Sequence, residues 1–181
     1  VRMLKAAKDT GLRAVLTNAV RYTTPDQAAT ADVLDAARTL TSLSALNGLE
    51  KLEILWADYN EISDLGQLIS LPAIRQVSVT DNKLSTVGEI GTVESLTNLK
   101  LGGNSLSGLP DLSGLTNLLE LDIRSNSFSS IPNVSVLPVI EKLNLANNQL
   151  TGTGARDSLP GTITELVLSN NRINNLDGLS D

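Results

Sequence analysis

Glu120 and Asp122 make the first claim to chemistry in this chain. They stand two residues apart, so on an extended strand both carboxyls share one face. Two carboxyls about 5–5.5 Å apart are the acid and nucleophile of retaining glycosidases, provided that a pocket raises one pKa. Here Arg124 and Lys142 stand close by in the sequence pattern, and on an open surface they would keep both carboxyls ionised. No second polar constellation accompanies the pair, so a hydrolase is disfavoured. The chain has no His and no Cys. That removes histidine-base catalysis, cysteine nucleophiles, disulfides and ordinary zinc sites. Its Asp residues lack the spacing of a calcium-binding loop. The sequence therefore predicts no catalytic residue, no metal site and no cofactor.

What positions these side chains is a repeat. Asn60, Asn82, Asn104, Asn126, Asn148 and Asn171 follow one another at intervals of 22, 22, 22, 22 and 23 residues. Five positions before each stands Leu55, Val77, Leu99, Leu121, Leu143 or Leu166. Three before stands Ala57, Val79, Leu101, Ile123, Leu145 or Leu168, and two after comes Ile62, Leu84, Leu106, Phe128, Leu150 or Ile173. This is the L-x-x-L-x-L-x-x-N-x-L pattern of a leucine-rich repeat. Alternation ahead of the Asn marks a short strand with one buried face. After the Asn the period becomes three, as in Leu106, Leu109, Leu112, Leu115 and Leu118. That period matches a 3₁₀ helix, whose side chains eclipse along one face. The 33 leucines set against four aromatics, Tyr22, Trp56, Tyr59 and Phe128, fit a core of aliphatic slots. Each Asn should point inward, where its amide can both donate and accept.

The fold predicted is an α/β solenoid: a right-handed leucine-rich-repeat coil with a parallel concave sheet, 3₁₀-type convex returns and an α-helical N-terminal cap. Residues 1–37 are assigned to the cap and 38–181 to the solenoid. Leu40, Leu43, Leu46, Leu49 and Leu52 form half a coil, with Arg38 in the Asn slot. Six Asn-marked coils follow. Leu12, Val15, Leu16, Ala19 and Val20 have helical spacing, and Thr24-Pro25 signals a second helix start. Thr153 and Arg156 interrupt the apolar period, so 151–161 should bulge as a convex loop. Ile173, Leu176 and Leu179 open a further return, which predicts that the chain continues in a longer parent.

The 22-residue repeat, the leader Asp9-Thr-Gly-Leu12-Arg-Ala-Val15-Leu and the run Ala31-Asp-Val-Leu34 into Leu40-Thr-Ser-Leu43 resemble the bacterial internalin class of leucine-rich-repeat proteins. The resemblance implies an extracellular or cell-surface adhesion module that binds a host or neighbouring cell-surface protein on its concave face. A 22-residue repeat without cysteine is also similar to intracellular phosphatase regulators, which implies the alternative of a cytoplasmic scaffold docking a partner enzyme. Residues 49–181 carry eight basic and sixteen acidic side chains. Such a surface repels phosphate backbones, so no nucleic acid is expected. No apolar run approaches the roughly 20 residues of a membrane span, so no membrane insertion is expected.

The positions that alternate with the buried ones define the concave face. Six before the Asn they read Ile54, Gln76, Asn98, Glu120, Lys142, Glu165. Four before they read Trp56, Ser78, Lys100, Asp122, Asn144, Val167, and two before, Asp58, Thr80, Gly102, Arg124, Ala146, Ser169. Ile54, Trp56 and Tyr59 are the one outward aromatic–apolar cluster, the composition in which interface energy concentrates. Asp58, Ser78, Thr80, Lys100, Asp122 and Arg124 complete the candidate partner-binding set. The charges should pair across strands, with Glu120, Lys142 and Glu165 in line on three successive strands and Lys100 beside Asp122, which shares its strand face with Arg124. Six strands about 4.8 Å apart give a face of roughly 500 Å², short of the roughly 800 Å² per partner of a standard interface.

Overall fold

The structure is a computed structural model, and it describes residues 14–15, 41–152 and 159–174. Seven short strands lie in sequence order in one parallel sheet. They are β1 (Ala14–Val15), β2 (Ile54–Trp56), β3 (Gln76–Ser78), β4 (Asn98–Lys100), β5 (Glu120–Asp122), β6 (Lys142–Asn144) and β7 (Glu165–Val167). The register is that of the repeat: Leu55, Val77, Leu99, Leu121, Leu143 and Leu166 lie side by side from β2 to β7. From β2 to β6 these side chains are fully buried. The ladder runs beyond the strands, since Leu101 N–H donates to Asp122 O and Gly103 N–H to Arg124 O.

Inward polar groups are satisfied between coils. The Asn126 amide nitrogen donates to Leu101 O (3.0 Å) in the preceding coil and to Ile123 O (3.0 Å) and Arg124 O (3.1 Å) in its own. Its oxygen accepts from Leu106 N–H at 2.9 Å. Asn82, Asn104, Asn148 and Asn171 repeat the pattern, each accepting from the backbone of the coil before it. Asn60 bonds the carbonyls of Ala57 and Asp58. The expected inward Asn ladder is thus present across all six coils.

One requirement of this ladder is invisible in the repeat pattern. The residue before every Asn has a left-handed backbone: Tyr59, Asp81, Gly103, Ser125, Asn147 and Asn170 have φ between 53 and 64°. This kink takes the chain out of the strand direction and turns the Asn side chain inward. Only position 103 is glycine, and a Cβ there would run into the Asp81 carboxyl of the preceding coil. Asp and Asn tolerate the conformation best among other residues, whereas Tyr59 is bulky and holds it at a cost.

On the convex side, 3₁₀ helices cover Ser44–Leu46, Gly66–Ser70 and Ile90–Thr92. Their period of three appears directly as i→i+3 bonds, such as Leu68 N–H to Leu65 O and Leu71 N–H to Leu68 O. The next two returns depart from the prediction. They hold only separate turns, such as Leu115 N–H to Leu112 O and Leu137 N–H to Val134 O. Pro110 and Pro132 fit this, because proline disfavours helical angles in the residue before it. Phe128, 2% exposed, fills an aliphatic slot.

Two sequence expectations meet a different outcome. Ala14 and Val15, within the stripe read as helical, are extended and pair with Leu55 and Trp56; the rest of the cap lies outside the described residues. Ile54, expected to face outward, is buried at 9% exposure. An isoleucine gains by leaving water, and it is the one apolar side chain in a column that continues as Gln76, Asn98, Glu120, Lys142 and Glu165. The loop at 153–158 and Leu176 and Leu179 also lie outside the described residues.

Removing one rung tests the ladder. Asn126→Ala strands the Leu106 N–H in the core, at about 1–3 kcal/mol for a buried unsatisfied group, while the Leu101 and Ile123 carbonyls keep the amides of Asn104 and Asn148. Urea unfolding should therefore show a loss of about 1–3 kcal/mol. Glu61→Ala, which removes only the exposed pair to Lys83 (3.0 Å), should stay within about 0.5 kcal/mol. Equal losses in the two variants would mean that the ladder is not what holds the coils in register.

Candidate functional site

Because strand side chains alternate, the half of each strand that leaves the core lines a concave surface. There the structure gathers most of the residues chosen from sequence around one open hollow of about 450 Å³. Trp56 (47% exposed) and Tyr59 (66% exposed) stand at one end. Asp58, Ser78 and Thr80 form its floor, and Lys100, Glu120 and Arg124 its far side. Asp122 belongs to a neighbouring, smaller hollow with Lys142 and Glu165. Ile54 lines neither of them.

The floor is tied together across coils. Asp58 Oδ1 accepts from Ser78 Oγ at 2.6 Å and from the Thr80 N–H at 2.7 Å, and Ser78 is buried. Gln76, Val77 and Asn98 also line the hollow, although none was chosen from sequence. Gln76 and Asn98 could have been, since they share the column of Glu120. Gly102 contributes by what it lacks. A Cβ there would lie 3.0 Å from Arg124 Cγ and 3.4 Å from Nε, so the arginine stem crosses back over bare backbone toward the aromatic end.

The charges pair differently from the expectation. Lys100 lies beside Asp122 in register, but its ammonium bonds Glu120 Oε1 at 3.2 Å. Asp122 instead takes the Arg124 guanidinium at 3.4 Å and the Arg124 N–H at 3.1 Å. Lys142 pairs with Glu165 at 3.4 Å, as the column predicts. Burial raises the Glu120 pKa, but hydrogen bonds from Asn98 and Lys100 and the charges of Lys100 and Lys142 together bring it below the usual range. For Asp122 burial wins, raising the pKa against the Arg124 N–H and guanidinium. The expectation that cations would set both carboxyls is corrected there. Shifts in opposite directions resemble an acid–base pair, yet each carboxyl is held by its own cation within 3.4 Å. That arrangement leaves neither aimed at a substrate.

Asp122→Asn tests the burial effect. In the next coil Asn144 already fills this slot and accepts from the Ala146 N–H at 3.1 Å. A raised carboxyl pKa means that the ionised form weakens the fold at neutral pH, and the penalty fades as pH falls through the folded pKa to the unfolded value. Asp122→Asn is expected to melt higher than wild type at pH 7. The two should converge below the unfolded Asp pKa, about 3.9. A variant that melts lower at pH 7 would show the Arg124 pair to outweigh burial.

No protein-family model matches the sequence, and no curated protein does either. Solved structures do. YopM from Yersinia enterocolitica superposes with a TM-score of 0.61 at 28% identity, over 74% of this chain and 27% of that one. The functional domain of InlJ from Listeria monocytogenes, which includes a cysteine ladder, gives 0.59 at 28% identity, over 70% of this chain and 27% of that one. The Leptospira interrogans protein LIC12759 gives 0.61 at 25% identity, over 81% and 45%. This chain therefore spans less than half the length of each. It has no cysteine, and its own ladder is built of asparagine. Repeat, sheet register and these likenesses together make the chain an internalin-like leucine-rich-repeat solenoid, a module for protein interaction.

Proposed function

We propose that this solenoid is the non-catalytic recognition domain of a secreted or cell-surface adhesin-type protein, binding a protein partner on its concave face. The observation that carries the reading is the placement of Trp56 and Tyr59. Apart from Phe128 the described core slots take aliphatic side chains, and Trp56 and Tyr59 stand exposed beside the concave hollow. Tyr59 does so with φ at 56°, a backbone state that costs a residue other than glycine about 1–2 kcal/mol. Asn or Asp serves that position in three other coils. The sheet face alone is smaller than a standard interface, and the loops on either side of the strands supply the rest of the contact. The surface location is supported by the likeness to InlJ.

Two variants separate recognition from packing. Trp56→Ser and Tyr59→Asn on beads are compared with wild type for capture of solubilised cell-surface proteins, quantified by mass spectrometry. A hot spot is worth 2 kcal/mol or more, so specific capture should fall at least about tenfold for Trp56→Ser. Its melting should be unchanged, and Tyr59→Asn should lower capture as well. Early melting of Trp56→Ser with capture preserved would assign the tryptophan to packing instead.

A further inference from the structure

The hollow beside Trp56 offers hydrogen-bonding groups of both kinds and no net charge. Two acids, Asp58 and Glu120, line it against two bases, Lys100 and Arg124. Both cations are already paired, Lys100 with Glu120 at 3.2 Å and Arg124 with Asp122 at 3.4 Å. An anion would compete with those carboxylates, and a cation would meet Lys100 and Arg124, so neither sign is selected.

Unused hydrogen-bonding capacity remains, and it is of both polarities. Among the described residues the carboxamide of half-buried Gln76 has no hydrogen-bond partner. Asp58 Oδ1 takes the Ser78 hydroxyl and the Thr80 N–H, while Oδ2 takes none. An ammonium has three N–H groups and a guanidinium five, and the ion pairs engage only part of them. Open donors and acceptors thus stand on adjacent coils, whose strands are about 4.8 Å apart.

A hydroxyl both donates and accepts. A ring with hydroxyls on neighbouring carbons can therefore meet such a wall at each coil. An extended peptide turns its backbone N–H and C=O to one side only at every second residue, about 7 Å apart. A sugar ring also has apolar C–H faces, which pack on an indole because its π face is electron-rich. Trp56 is 47% exposed. Its neighbour in register is the small Ser78, which leaves room beside the indole.

Resting on the concave-face reading above, we infer that the hollow takes a neutral glycan carried by the partner protein, one sugar ring packing on Trp56 and its hydroxyls bonding Gln76 and Asp58.

Trp56 is the chain's only tryptophan, so its fluorescence reports binding in the hollow directly. The labelled chain is screened on a printed array of neutral and acidic oligosaccharides, and the glycans it retains are titrated against that fluorescence. Neutral glycans should be retained and should change the Trp56 emission saturably. Their affinity should hold within about twofold between about 0.05 and 0.5 M salt, because no net charge is neutralised. Trp56→Ser should lose retention. Gln76→Met keeps the length of the side chain and should melt as wild type, since the carboxamide bonds nothing in the fold. It should weaken binding about threefold to tenfold, the scale of a neutral hydrogen bond. Retention of acidic glycans alone, a steep loss with salt, retention by Trp56→Ser, an unchanged affinity in Gln76→Met, or no retention would each overturn the glycan inference. Enzymatic removal of N- and O-linked glycans from the solubilised cell-surface proteins should abolish their capture on beads. Capture that persists after this treatment and still needs Trp56 overturns the glycan inference and leaves the concave-face reading standing; capture indifferent to Trp56 removes both.

Discussion

An asparagine side chain facing inward is the constraint on which the solenoid depends. A buried amide must have partners for both ends, and a single coil cannot supply them. The carbonyl oxygen of Asn126 takes Leu106 N–H, and its nitrogen reaches Leu101 O; both belong to the coil before. Each rung is therefore a statement about the relative position of two coils. A coil shifted by one residue would carry its apolar slots to the solvent face and leave the amide with no partner. Regular spacing, parallel register and straight columns on the concave face follow from that one requirement.

Much of this was legible in the sequence because period is a strong signal. The buried slots, the strand positions and the columns across neighbouring coils follow from counting backward and forward from each Asn. What counting cannot reach is geometry carried by residues of no fixed type. The left-handed position is filled by Tyr59, Asp81, Gly103, Ser125, Asn147 and Asn170, with no shared chemistry to mark it. The 3₁₀ returns were legible as a period, but the two that hold Pro110 and Pro132 keep the period without the helix.

The site was legible at the level of columns and less so at the level of partners. Trp56, Tyr59, Thr80, Lys100 and Arg124 fall on one hollow because they share columns and neighbouring coils. The pairing of Lys100 with Glu120 rather than Asp122 depends on where long side chains lean, and no spacing rule contains that. Ile54 departs from the alternation because that rule gives the face of a residue and not its exposure: an apolar side chain on the outer face still gains by leaving water. Asp122 was misjudged because concave curvature closes neighbouring side chains around a short one. A carboxyl on the outer face can then be almost as buried as one in the core.

The two halves of the strand alternation answer to different demands. Inward slots are bound by packing and by the amide rungs, so they admit few changes. Outward slots are bound only where they touch each other, as at Asp58 with Ser78 and Thr80. There one carboxylate oxygen of Asp58 takes a hydroxyl and a backbone N–H of the next coil, which fixes the side chain across two coils while its second oxygen keeps acceptor capacity.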